Sequence, residues 1–328
     1  MTVAGERELA NAELRVRCAP AHGFAITSIV DLRSGAEALW QRAGHEPARC
    51  TRALGPSGAA SDATFADLFV GGWFTMFPDV GYPPPDDPSS LMHGELARLP
   101  WEELEATPTE VVARVRTVRR PFEVRRRVAL DGPRLLVEER IENVGAAAAP
   151  FAWGHHPCFS RATFAGGRLT LDVDAARVPE PASVPACARL RAGAAFAWPR
   201  APRADGGAED VSIVPARADG RLDHVCLRLR AGVVRLTAPA VGRALALTFD
   251  AELFEHALLW QNLRAPVSPF WGGADTFAVE LSTIPGRGMR EAEAARAVRA
   301  LAPGAVAATT IALRWEELAA AARPSPPG

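Results

Sequence analysis

The sequence predicts an all-β protein built from antiparallel strands, and three observations carry that expectation. Period-2 or β-branched runs bounded by Gly, Pro, Asp or Asn recur along most of the chain. Turn formers are abundant, with Gly 27 and Pro 28, yet they stay below the roughly 25 to 30% that marks low-complexity disorder. Asp131-Gly132 and Ala231-Gly232 each separate two strand-like runs, the signature of a tight hairpin. In chain order the runs cover residues 24–32, 111–118, 122–130, 135–141, 169–173, 224–229, 233–237 and 245–249. Such spacing favours a sandwich or barrel. Helical composition is confined to the end, in REAEAARAVRAL (290–301) and WEELAAAA (315–322), both rich in Ala, Glu and Arg. No alternation of strand and helix suggests a Rossmann or TIM-barrel core. Residues 179–220 read as an irregular excursion from the sheets, and the tail 323–328 is expected to fray. A single domain spanning 1–328, with its core at about 21–314, is the simplest organisation.

Composition narrows the function. The 37 basic and 38 acidic residues nearly cancel, so no overall field draws the protein to nucleic acid or an anionic membrane. A small neutral ligand suits it better. Every basic residue is arginine, which excludes a Schiff-base lysine and the lysine of a phosphate-binding P-loop. Cys18, Cys50, Cys158, Cys187 and Cys226 are odd in number and lack C-x-x-C spacing, so they are expected to be reduced thiols, not a disulfide framework or zinc site. The amino-terminal stretch has no signal-peptide pattern, and no run reaches the 18 apolar residues of a membrane helix. A cytoplasmic protein is the expectation.

Three segments carry candidate chemistry. In PFAWGHHPCF (150–159) a strand would place Phe151, Trp153 and His155 on one face and Ala152, Gly154 and His156 on the other. His156 thereby gains small neighbours and room for a ligand, and a histidine there can exchange protons near neutral pH. In DTFAVELSTIPG (275–286) alternation sets Glu280 on the face opposite Phe277, Val279 and Leu281. In residues 71–101 the aromatics Trp73, Phe77 and Tyr82 suit the apolar face of a sugar ring, and Asp79 or His93 suits its hydroxyls.

Taken together, these segments resemble a known family. HGEL followed by Pro-Trp, an N-x-G before P-x-x-x-G-H-H-P-x-F, LLWQN (258–262), a strand bearing one Glu, and LAPG (301–304) occur in the order found in the aldose 1-epimerase, or galactose mutarotase-like, family. The opening GFAITSIVDLRSG (23–35) is similar to that family's first hairpin. The resemblance implies an antiparallel β supersandwich with a shallow sugar site and neither metal nor organic cofactor. It also implies roles: Glu280 as general base, His156 as general acid, and His93 as a substrate-binding histidine, with Trp260 and Gln261 near the ring. His155 is the alternative to His156 and otherwise a substrate-binding residue. Where the galactose-specific form has N-H-x-Y-F-N-L, this chain has His155 for the asparagine and Cys158 for the tyrosine, so galactose itself is not implied.

Interconverting anomers needs one base and one acid. A carboxyl of reference pKa about 4.3 and an imidazole of about 6.5 bring opposite proton inventories to neutral pH. Two other readings use the same residues: a carbohydrate-binding protein without turnover, and a metal-dependent β-barrel enzyme with His93, His155, His156 and Glu280 as ligands. A small sugar is the expected partner in each sugar-handling case, and the chain is expected to be a monomer or homodimer.

Overall fold

The computed structural model describes residues 5–43 and 54–318, and two large sheets account for most of them. The first has ten strands in the order Arg7–Ala10, Leu14–Ala19, Ala25–Asp31, Trp73–Met76, Gly154–Ser160, Asp275–Ser282, His256–Leu263, Leu222–Leu229, Val173–Arg177 and Ala195–Phe196. The second has eight: Leu169–Thr170, Val233–Ala238, Arg243–Thr248, Val306–Glu317, Arg134–Asn143, Phe122–Asp131, Glu110–Arg116 and Glu102–Thr107. Neighbouring strands pair antiparallel, as the sequence predicts.

Alternation explains how the sheets meet. In Val306–Glu317 the alternate residues Thr309, Ile311, Leu313 and Trp315 are buried, while Ala308, Thr310 and Arg314 on the other face are exposed. Trp73, Phe159, Phe277, Val279, Leu281 and Leu259 supply the matching inner face of the ten-stranded sheet. Both sets belong to one continuous apolar core, so the layers form a sandwich with one closed interior.

The Asp131-Gly132 hairpin joins Phe122–Asp131 to Arg134–Asn143 as expected, with Gly132 at φ 53°. The Ala231-Gly232 turn does something else. Leu222–Leu229 and Val233–Ala238 lie in different sheets, and the latter pairs with Arg243–Thr248, so the turn is a crossing between layers. Gly232 is packed so closely that a Cβ there would lie 1.9 Å from the carbonyl oxygen of Phe249.

The helix expectation also needs correction. Of residues 290–301 only the start is helical, in Met289–Ala294, and Arg299–Leu301 is a short strand. Trp315 to Glu317 complete the twelve-residue strand Val306–Glu317, because burying Trp315 against Phe164 outweighs local helix propensity. Residues 319–322 and the tail 323–328 fall outside the described set, as does Cys50. A further helix, Ser61–Leu68, precedes the first site strand and was not foreseen. No helix among the described residues is long and apolar enough to cross a membrane.

Candidate active site

The strand Gly154–Ser160 lies near the middle of the ten-stranded sheet, between Trp73–Met76 and Asp275–Ser282. Its period of two sends His155 inward and His156 outward. On the outer face, His156 is in register with Phe74, and Cys158, Ala278, Trp260 and His224 form one row across four strands. Cys158 and Ala278 are small and make the floor low. Glu280 stands beside His156, with 3.2 Å between Oε1 and Nε2.

Loops and a helix wall this floor into a cleft of about 250 Å³, lined among others by Phe65, Phe69, Tyr82, His93, Trp260 and Phe270. His156 stacks on Phe74 at 4.8 Å between ring centroids and meets His93 and Trp260 edge-on at 5.5 and 5.4 Å. His93 is held in the left-handed region at φ 56°, an unfavourable conformation for a histidine. Its Nδ1 accepts from the Gly81 N–H at 3.3 Å, which leaves Nε2 as the protonated nitrogen of the neutral ring. The next residue must be glycine, since a Cβ at Gly94 would lie 2.3 Å from the Phe77 carbonyl oxygen.

Burial governs the electrostatics. Glu280 and His156 are each 4% exposed. Desolvation raises the Glu280 carboxyl to about 8 and lowers the His156 imidazole to about 3, the latter opposed by a hydrogen bond to its own backbone and aided by nearby His224. His93 is driven well below its ordinary value by burial and by His156, and burial takes His224 to about 3. The neutral pair is therefore favoured at rest, where the sequence led us to expect an ionised Glu280 and a protonated His156. The proton inventory is one in either description, and it belongs to the pair. Cys158 Sγ lies 3.3 Å from His156 Nδ1, on the far side of the ring from Glu280.

The structure brings together Glu280, His156, His93, Tyr82 and Trp260. It separates the other expected site residues from them. His155 lies in the interior, where Trp73 donates to its Nδ1 at 3.3 Å and Glu139 approaches Nε2 at 3.4 Å. It is fully buried there, so it neither replaces His156 nor completes a metal-ligand set with His93 and Glu280. Trp73 and Phe77 belong to the same inner core. Asp79 has no exposed surface and braces the loop, paired with Arg120 at 2.9 Å and accepting from Leu91 N–H and Ser90 Oγ. Desolvation raises its carboxyl to about 6. Gln261 alternates with Trp260 and Asn262, faces inward with Leu259 and Phe277, and leaves Asn262 to line the cleft.

Sequence reasoning missed Asp62 and Phe65 on the helix and Phe69 just past its end, Ser183 and Val184 in the 179–220 excursion, and His224 and Asn262 on the sheet. The signals were partial: Phe65 and Phe69 have helical i, i+4 spacing, and Asn262 shares the parity of Trp260. Among the described residues no group of three or more His, Cys, Asp and Glu side chains is placed to hold a metal ion. A larger cavity of about 510 Å³ lies near Trp101 and Val115, but its charged residues include the mutually paired Glu102–Arg114 and Arg116–Glu123, and it contains no histidine.

No family model and no curated protein sequence matches the chain. Solved structures do match it over nearly its whole length. A protein from Escherichia coli K12, provisionally named an aldose 1-epimerase, is 16% identical, with 96% of this chain and 100% of that one covered at a TM-score of 0.67. A galactose mutarotase-like protein from Lactobacillus casei ATCC 334 is 18% identical, with 95% and 100% covered at 0.62. A galactose mutarotase related enzyme from Lactobacillus acidophilus is 14% identical, with 95% and 98% covered at 0.63. At such identities the likeness is one of fold. The chain has the galactose mutarotase-like all-β fold, and the resemblance carried by its motifs is matched by its architecture.

Proposed function

We propose that the protein is an aldose 1-epimerase that interconverts the anomers of a sugar by acid/base ring opening at Glu280 and His156. One observation carries the reading: a carboxyl and an imidazole in contact at 3.2 Å, side by side at the floor of an aromatic-walled cleft. The anomeric hydroxyl and the ring oxygen are bonded to the same carbon. The two catalytic groups must therefore reach one carbon together, and a pair already in contact satisfies that demand.

In the forward step Glu280 takes the proton of the anomeric hydroxyl, a carbonyl forms at that carbon, and the bond to the ring oxygen breaks with its electron pair leaving on that oxygen. His156 delivers a proton there. Rotation of the aldehyde end and the reverse transfers close the other anomer. When the resting proton lies on Glu280, a shift across the 3.2 Å contact sets up the same roles. Trp260, Phe69 and Phe270 supply apolar surface for the ring, while His93 Nε2–H and Asn262 are donors for its hydroxyls.

The experiment is direct. Freshly dissolved single-anomer sugars are followed by polarimetry or NMR with the purified protein, and buffer-only mutarotation is subtracted. Decay faster than buffer for at least one aldose, unchanged by a chelator, is the expected result. Decay at the buffer rate for every aldose contradicts the reading, and decay abolished by chelation transfers support to a metal-dependent enzyme.

A further inference from the structure

Resting on the mutarotase reading, we propose that the cleft continues into a second sugar subsite and that the substrate is a neutral reducing disaccharide or longer saccharide. A groove of about 480 Å³ adjoins the cleft and shares Asp62, Tyr82 and Ser183 with it. The cleft alone, at about 250 Å³, falls below the roughly 300 Å³ at which pockets for small organic ligands begin, so it holds little more than one ring. The catalytic pair fixes which ring that is. The reducing end must meet Glu280 and His156 at the floor, so the remainder of the sugar points to the mouth, where Tyr82 stands.

Tyr82 is built as a platform between the two spaces. The residue is 40% exposed, yet its backbone is clamped on both sides: Tyr82 N–H donates to the Arg287 carbonyl at 3.0 Å, and Met289 N–H donates to the Tyr82 carbonyl at 3.0 Å. The clamp depends on two glycines, because a Cβ at Gly81 would lie 1.8 Å from the Arg287 oxygen and one at Gly288 2.2 Å from the Tyr82 oxygen. A rigid, exposed aromatic face costs little conformational entropy when a pyranose stacks on it. Arg287 in turn donates to Pro181 O and Ser183 Oγ, fixing the opposite wall.

Charge selects the class of saccharide. Around the groove Asp62 and Glu291 oppose Arg287 and Arg290, and the Arg287–Glu291 pair is already made at 3.3 Å. In the cleft the charged-type side chains are Asp62 and Glu280, and among the described residues no arginine lines it. Across cleft and groove the arginines do not outnumber the carboxyls, so a phosphate or uronate meets no net positive field, whereas neutral hydroxyls find donors and acceptors of both kinds.

The test compares glucose, maltose, cellobiose and glucose 6-phosphate as single anomers, by catalysed exchange and independently by equilibrium titration. At least one disaccharide should show a kcat/KM at least tenfold above glucose and a correspondingly lower Kd, with glucose 6-phosphate no better than glucose. Ala59→Trp, on the outer wall of the groove, should erase the disaccharide advantage and leave glucose exchange within twofold. Ala182→Trp is the second variant and should do the same. If no sugar is turned over, the mutarotase reading fails, and the titrations still decide the subsite. Equal kcat/KM and Kd for glucose and both disaccharides, or a preference for glucose 6-phosphate, overturns it.

Discussion

Two His–Glu contacts stand back to back across one strand, and they differ in what surrounds them. His155 meets Glu139 at 3.4 Å and His156 meets Glu280 at 3.2 Å, so residue type and distance do not distinguish them. Burial depresses both imidazoles, to about 4 and about 3. The inner pair, however, is closed. Glu139 accepts from Thr75 Oγ1 at 2.5 Å and Trp153 Nε1 at 2.9 Å, and the fully buried Arg126 guanidinium lies 3.4 Å away. Arg126 also donates to the Phe24 carbonyl and lies over the Phe24 ring. The outer pair has an aromatic cage and adjoining space. A histidine beside a glutamate becomes a candidate catalytic pair only where a substrate can reach it, and elsewhere the same contact is an internal brace.

The largest expected effect separates the pairs by rate. His156→Asn should lower catalysed anomer exchange by about 10² to 10⁴ and leave the thermal midpoint close to the parent's. Combining it with Glu280→Gln should add little further loss, because the two work as a unit. The inner pair should respond in stability instead. Glu139→Gln leaves Arg126 buried without its partner, and urea unfolding should report a loss of about 3 kcal/mol or more. Arg126→Met together with Glu139→Leu should not restore stability, because Thr75 Oγ1 and Trp153 Nε1 then lose their buried acceptor and the Phe24 carbonyl its donor.

A smaller effect concerns pH. Glu280 holds its proton until about 8 and His156 refuses a second until about 3, so the pair carries one proton throughout that window. The kcat/KM profile should be flat near neutrality, with its alkaline limb near 8. Limbs at the reference values of about 4.3 and 6.5 would show that the pair is solvated. The smallest effect is on stability. Because the folded-state pKa of Glu280 is raised, its burial costs nothing below the unfolded value of about 4.3, and the cost grows as pH rises toward 8. The stabilisation conferred by Glu280→Gln should grow over the same interval in thermal unfolding.

Strand periodicity made much of this legible. Alternation put His155 and His156 on opposite faces and exposed the parity of Glu280, because the period of two is a local property of the backbone, but it left open which histidine is the acid until the enclosure of His155 beside Glu139 was seen. The same rule, applied to LLWQN, would have sent Gln261 inward and Asn262 to the cleft. What stayed hidden depends on contacts distant in sequence. Asp79 reads as a ligand for hydroxyls until Arg120 is seen to pair with it, and Ser183 joins the site only through loops pinned by Arg287. The Ala231-Gly232 segment looks like a hairpin locally, and only the pairing of Val233–Ala238 with Arg243–Thr248 shows that it changes sheets. Trp315 likewise follows its burial against Phe164, not the helix propensity of its neighbours.

The most direct measurement sets the two carboxyls against each other. Glu280→Gln and Glu139→Gln are assayed for single-anomer decay at a temperature where circular dichroism shows both variants folded. Glu280→Gln should fall to the buffer rate while still binding sugar, and Glu139→Gln should keep exchange within about tenfold of the parent. Full exchange in Glu280→Gln, or its loss in folded Glu139→Gln with Glu280→Gln intact, would contradict the assignment of the outer pair as the catalytic one.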